Sequence, residues 1–328
     1  MRFVLRRLGF FAVTLWAAVS LNFLIPRLMP GSPAQALRAQ YPHLGPQSVK
    51  ALTTLLGGAS NEGLLGQYFD YWHRVVTLNF GISITTSFGT PVSTMVENAL
   101  PWTLGLVGVT TVLAFVLGTL IGLVSGWRRG SWLDSALPPI FVITSALPYF
   151  WVALLLTYLF SSRLGWLPYQ NAYSFLTDSP GLNWHYAMDV LRHAVLPGST
   201  ILITSIGGWI LTMRNNVVTV MVDDYVRTAR AKGLRPWRVV WNYAGKNAIL
   251  PNLTGFAMSI GFVVSGAIVV EYVFNYPGVG SLLLRAVNGL DYPLMQALFL
   301  LITMAVLLSV LAADIATAIV DPRTREGH

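Results

Sequence analysis

The densest collection of charge in this chain lies between Asp223 and Pro251, in the stretch DDYVRTARAKGLRPWRVVWNYAGKNAILP. Arg227, Arg230, Lys232, Arg235, Arg238 and Lys246 gather there between two long apolar runs. Such a segment can press on a partner protein, meet lipid headgroups, or simply stay solvated beside a membrane. Its local chemistry predicts two short helices. Asp223 and Asp224 suit a helix start, where negative charge meets unpaired N–H groups. Lys232 suits the opposite end, and Gly233 supplies a left-handed stop. Along this first helix Val226 and Ala229 share one face while Arg227 and Arg230 share another. Pro236 fits the first turn of the second helix, which carries Trp237, Val240 and Trp241 toward Ile249, Leu250 and Pro251.

Other groups with chemical potential are few. Asp314 lies in the last apolar run, where a carboxylate is expensive and a functional candidate by default. The nearby interface also allows a structural pairing with Arg323. Glu271 and Asn275 precede the turn Tyr276-Pro277-Gly278-Val279-Gly280 at the end of another run. The five histidines, His43, His73, His185, His193 and His328, include no pair three or four residues apart. A helical metal pair is therefore unsupported. The chain has no cysteine, which removes disulfides, thiolate catalysis and cysteine-ligated metal centres. No Gly-x-x-x-x-Gly-Lys-Ser/Thr stretch is present to cradle a nucleotide phosphate, and no Gly-x-Ser-x-Gly or His-Glu-x-x-His sequence points to hydrolysis.

The elements that must position these groups are set by composition. Over 328 residues, 54% are hydrophobic and 10% charged, with a mean hydropathy of +0.60. A soluble domain carries roughly one-quarter charged residues, so the chain reads as an all-α integral membrane protein. The net charge of +8 belongs beside the apolar runs and not to a polar, nucleic-acid-binding surface. Membrane-length runs occur at Leu8 to Leu24, 98 to 126, 133 to 160, 191 to 213, 250 to 272 and 294 to 320. The first could be a cleaved signal, but it continues past the small residues Ala17, Ala18 and Ser20, which favours a retained span.

Six spans put both termini on one side. Residues 1–29 then hold the N-terminus and first span, 30–97 form a small external subdomain, and 98–328 form a five-helix core with the loop 214–249. Of the 21 Lys and Arg residues, 14 fall on the face holding the termini and that loop. The positive-inside rule makes that face cytoplasmic. Gly118, Gly122 and Gly126 predict a close helix approach. Pro138, Pro139 and Pro148, then Pro197, Gly198, Gly207 and Gly208, predict bends. Trp102, Trp127, Trp132, Trp166 and Trp209 read as an interfacial belt near span ends.

With Leu250 and Pro251 downstream, the run Tyr225, Val226, Arg227, Thr228, Ala229, Arg230, Ala231, Lys232, Gly233 resembles the signature loop of permease subunits in binding-protein-dependent ATP-binding-cassette importers. The likeness is to the peptide and nickel branch. The general signature has Glu-Ala-Ala before the glycine; here Arg227, Thr228 and Ala229 stand there, and only the alanine is kept. Pro30-Gly31-Ser32-Pro33, Leu78-Asn79-Phe80-Gly81-Ile82-Ser83, the turn at Tyr276 to Gly280 and the ending Asp321-Pro322-Arg323-Thr324-Arg325 are similar to the same branch, so the resemblance spans the chain.

The resemblance implies a type I importer permease fold whose residues Asp224 to Gly233 form a coupling helix that docks into an ATPase groove. It also implies a second homologous permease, two cytoplasmic ATPases and an external substrate-binding protein. ATP and Mg would be bound by those ATPases, with no cofactor in this chain. Peptides are the expected cargo, with oligosaccharides, nickel or glutathione as alternatives. Two further classes stay open: an ion-coupled transporter working through Asp314 or Glu271, and a membrane scaffold whose basic loop recruits a partner.

Overall fold

The computed structural model describes residues 2–43, 45–55, 63–174, 181, 183–265 and 267–320. Helix α1, Arg2–Leu28, is followed by three shorter helices, α2 at Pro33–Gln40, α3 at Pro46–Leu55 and α4 at Leu64–Thr77. Ser32 caps α2 by accepting from the Gln35 N–H, and Pro33 fills the first turn, where its missing N–H costs nothing. Helix α4 packs Tyr71 against Val19 and Phe23 of α1, and Ser20 Oγ lies 2.7 Å from Tyr68 Oη. The segment expected to form a subdomain is thus fastened along the first span.

The second span begins earlier than its sequence suggests. The apolar run starts at 98, yet α5 starts at Val92 and carries Pro101 inside it, ending at Thr103. The buried faces of Val92 and Ala99, packed with Leu294, Met295 and Leu298, account for the extension. A π-helical turn at Leu104–Gly108 then leads without a break into α6, Val109–Trp127.

Helix α7, Trp132–Ala146, runs straight through Pro138 and Pro139. The break comes at Pro148, which starts α8, Tyr149–Leu156, continued by a π turn at Thr157–Arg163. Leu147 is extended (φ −75°, ψ 129°), as the residue before a proline must be to clear its ring. The two segments, Asp134–Ala146 and Tyr149–Arg163, meet at 98°.

Helix α9, Trp184–Val220, has 37 residues and so spans roughly 55 Å. It continues through Pro197, Gly198, Gly207 and Gly208 without a break. Gly207 serves contact. A Cβ on Gly207 would lie 2.6 Å from Ser145 Oγ and 3.0 Å from the Phe141 carbonyl of α7. Opposite, Gly118, Gly122 and Gly126 of α6 let the α9 backbone approach until a Cβ on Gly122 would sit 2.5 Å from the Ile210 carbonyl. Trp209, assigned to a span end by sequence, instead lies within α9, edge-on to Phe115 at 5.4 Å.

After α9 come α10, Asp224–Ala231, and α11, Pro236–Val239, then a π turn at Val240–Gly245 leading into α12, Lys246–Ser265. Helices α13, Ile268–Val273, and α14, Val279–Asn288, precede the long α15, Tyr292–Val320. Among the described residues five helices are long and apolar enough to cross a membrane, and the bent α7–α8 pair makes a sixth. The all-α, six-span architecture expected from the hydrophobic runs is the one observed. The side chain of Asp314 and the tail from Asp321 lie outside the described residues.

Candidate functional site

Helix α10 begins where the sequence places it. Asp223 takes the extended cap conformation, although its side chain makes no capping bond, and Lys232 closes the other end with its N–H on the Thr228 carbonyl at 3.0 Å. Gly233 has φ +72°, a left-handed conformation that costs a residue with a Cβ about 1 kcal/mol or more. Leu234 N–H returns to the Ala229 carbonyl at 3.4 Å, so the chain folds back, and Arg235 and Pro236 start α11.

This fold-back builds a small core of its own. Val226 and Ala229 are buried with Val239 and Ala244, and Leu234, Tyr243, Val220 and Met221 close around them. The resemblance places Ala229 within the docking helix, but its side chain is only 2% exposed and is covered by the chain itself. Its size is required by Val239 and Ala244, which a larger side chain would displace. The exposed residues of the segment are Asp224, Tyr225, Arg227, Thr228, Arg230, Ala231, Lys232 and Gly233. Tyr225 Oη accepts from Asn247 Nδ2 at 2.8 Å, which ties α10 to the first turn of α12.

The segment therefore behaves as a rigid knob on the ends of two spans. Helix α9 delivers its N-terminal side, and the π turn joins its C-terminal side to α12. Val240 and Ala248 pack against Leu123, Met213 and Val217 of α6 and α9, and Trp237 stands edge-on to Trp127 at 6.0 Å. Through these contacts the segment adjoins three spanning helices, α6, α9 and α12.

Two further buried carboxylates, which the sequence does not single out, fix distant segments: Asp134 beside α9 and Asp291 at the start of α15. Asp134, 7% exposed, accepts from Arg214 Nε at 2.7 Å, from the Gly130 N–H at 2.9 Å and from Ser125 Oγ at 3.3 Å. Arg214 had been assigned to the basic loop. It belongs to α9, which continues to Val220. Asp291, fully buried, accepts from Ser83 Oγ and from the backbone N–H groups of Ile84, Thr85 and Thr86 at 3.0–3.2 Å. The available signals were local: Ser131-x-x-Asp134 at a helix start, and Asp291 just ahead of Tyr292 and Pro293.

Glu271, singled out by sequence, is also fully buried. Its carboxylate accepts from Thr103 Oγ1 at 2.8 Å and from the N–H groups of Gly280 and Ser281 at 2.8 and 3.1 Å. Thr103 Oγ1 in turn accepts from the Val279 N–H at 2.8 Å. Together they satisfy the first donors of α14. Asn275, with φ +47°, bridges Arg285 Nη2 and Asn171 Oδ1, each at 2.7 Å. Glu271 thus has the neighbours of a structural cap on α14.

The profile of the family described as the binding-protein-dependent transport system inner membrane component matches residues 118–326. The chain is 32% identical to a di/tripeptide transport system permease protein, DppB, of Pseudomonas aeruginosa, over 98% of each chain. It is 35% identical to a putative peptide permease protein of Brucella suis over 99% of each. It is 32% identical to an oligopeptide transport system permease protein, AppB, of Bacillus subtilis over 98% of each. With five long apolar helices and the bent α7–α8 pair among the described residues, and the helix–glycine–helix knob between α9 and α12, the chain belongs to the family of binding-protein-dependent transport system inner membrane components, multi-pass membrane proteins.

Proposed function

We propose that this chain is a permease subunit of an ATP-driven importer that carries peptides across the cytoplasmic membrane. The observation that carries the reading is α10: a helix with its own core, a charged exposed face and a firm attachment to α9 and α12. The similarity along nearly the full length to proteins named as peptide permeases supports peptides as cargo. With no phosphate-cradling motif in the sequence, the subunit is non-catalytic and ATP is hydrolysed elsewhere. Two ATPase subunits engage the exposed face of α10. A second permease completes the path, and an external binding protein delivers substrate. When the ATPases close, α10 moves with them, and α6, α9 and α12 follow because Val240, Ala248, Met213 and Leu123 share one core. The path then opens outward, and hydrolysis returns it toward the cytoplasm.

In this reading both termini and residues 214–249 face the cytoplasm and residues 30–97 face outward. The test is reconstitution of the co-purified complex in vesicles. Expected are ATP hydrolysis stimulated by the loaded binding protein, peptide accumulation, and labelling of His43→Cys and Arg238→Cys by an impermeant thiol reagent from opposite sides. Uptake driven by an ion gradient without ATP, or labelling of both positions from one side, would overturn it.

A further inference from the structure

A cavity of about 410 Å³ lies between α6, α8, α9, α12 and α13, and Thr111, Tyr149, Ser205, Trp209, Ser259 and Ser265 contribute polar groups to its wall. Two features separate it from the larger groove of about 670 Å³ along α5, α6 and α9. First, two breaks between described helices border it. Tyr149 follows the 98° break at Pro148, and Ser265 and Ala267 flank the junction of α12 with α13. Irregular backbone at membrane depth is tolerated where it lines a cavity, because lipid cannot satisfy freed N–H and C=O groups. Second, its hydroxyls converge from separate spans, as ligand sites require. The larger groove is walled mainly by apolar side chains of α5, α6 and α9, with Thr110, Ser199 and Tyr276 as its hydroxyls.

The hydroxyls are also prepared in one sense. Ser205 Oγ donates to the Ile201 carbonyl at 2.6 Å, Ser259 Oγ to the Phe256 carbonyl at 2.8 Å and Ser265 Oγ to the Phe262 carbonyl at 2.6 Å. The hydrogens of Ser205 and Ser259 are committed to the helix, so the remaining capacity of these two hydroxyls is to accept. None of the described residues lining the cavity is charged.

Resting on the peptide-import reading, we propose that this cavity is the portion of the path contributed by this subunit, and that it recognises the peptide main chain and not its side chains. Main-chain N–H groups and the terminal ammonium meet hydroxyl oxygens, and Trp209 and Tyr149 offer flat apolar surface to any side chain. With no fixed charge in the wall, acidic and basic peptides pass with similar ease. The volume lies within the roughly 300–1,000 Å³ of small-ligand sites, which suits two or three residues at a time.

The absence of native cysteine makes a direct test simple. Ser205→Cys in the reconstituted complex is treated with a cationic or an anionic methanethiosulfonate of similar size, and uptake is compared before and after. We expect modification to be slowed by excess tripeptide and to lower tripeptide uptake by about tenfold, a change of about 1.4 kcal/mol. The cationic tag should depress a lysine-bearing peptide more than an aspartate-bearing one, and the anionic tag the reverse. A thiol that never reacts would mean that a partner helix fills the cavity, and full uptake after modification would mean that substrate passes elsewhere; either overturns the assignment. A wild-type complex that hydrolyses ATP yet accumulates no peptide would instead sink the peptide reading on which it rests.

Discussion

Arg214 Nε lies 2.7 Å from Asp134 Oδ1, and this ion pair fastens the turn between α6 and α7 to the last turns of α9, the helix that leads to α10. The Asp134 side chain is 7% exposed and that of Arg214 24%, so the pair is neither fully screened nor fully dry. Removing one member leaves the other without its counter-charge, whereas removing both leaves only lost contacts. Arg214→Met should therefore destabilise the chain by about 2–3 kcal/mol, read as a lower unfolding midpoint in detergent. The double variant Asp134→Asn, Arg214→Met should recover part of that loss. A double variant that is no better than the single one would show that packing of the arginine stem, and not its charge, matters.

The glycine rows of α6 and α9 predict a sharp contrast. Gly122 faces the Ile210 carbonyl and Met213 Cβ at distances of 2.5 and 2.8 Å from an added Cβ, whereas Gly208 has nothing within 4 Å. Gly122→Val should force α6 and α9 apart and cost about 1–3 kcal/mol or more, since backbone cannot move aside as a side chain can. Gly208→Ala should be tolerated. Membrane abundance and thermal stability of the two variants check this, and equal behaviour would contradict the close helix contact.

The knob at α10 separates folding from docking. Ala229→Asp should place an unpaired charge among Val226, Val239 and Ala244 and unfold the segment, at a cost of several kcal/mol. Trypsin should then cut between 227 and 238 in the membrane-inserted protein. Thr228→Trp and Arg227→Glu, on the exposed face, should leave proteolysis and unfolding unchanged yet remove bound ATPase. If the exposed variants retain ATPase and transport, α10 is only a solvated basic turn.

Much of this was readable from residue order because its causes are local. Six apolar runs need lipid wherever they fold, and Gly233 followed by Arg235-Pro236 stops one helix and starts another through φ restrictions that act over a few residues. The four-residue glycine spacing puts Gly118, Gly122 and Gly126 on one face of any helix. The likeness of Tyr225 to Gly233 to an importer signature likewise needed no coordinates.

What the tertiary structure decided was which of several local possibilities prevailed, and which distant groups meet. Pro138, Pro139 and Pro148 all disfavour a helix, but only at Pro148 does the chain break, bordering a cavity that accommodates the exposed backbone. Pro101 lies inside its helix because Val92 and Ala99 gain a buried face against α15. The partners of Asp134 and Asp291 are 80 and about 200 residues away, beyond any periodicity. Ala229 shows the same limit: its helical face follows from spacing, but whether that face meets another protein or its own chain depends on the turn at Gly233 bringing Val239 and Ala244 beneath it.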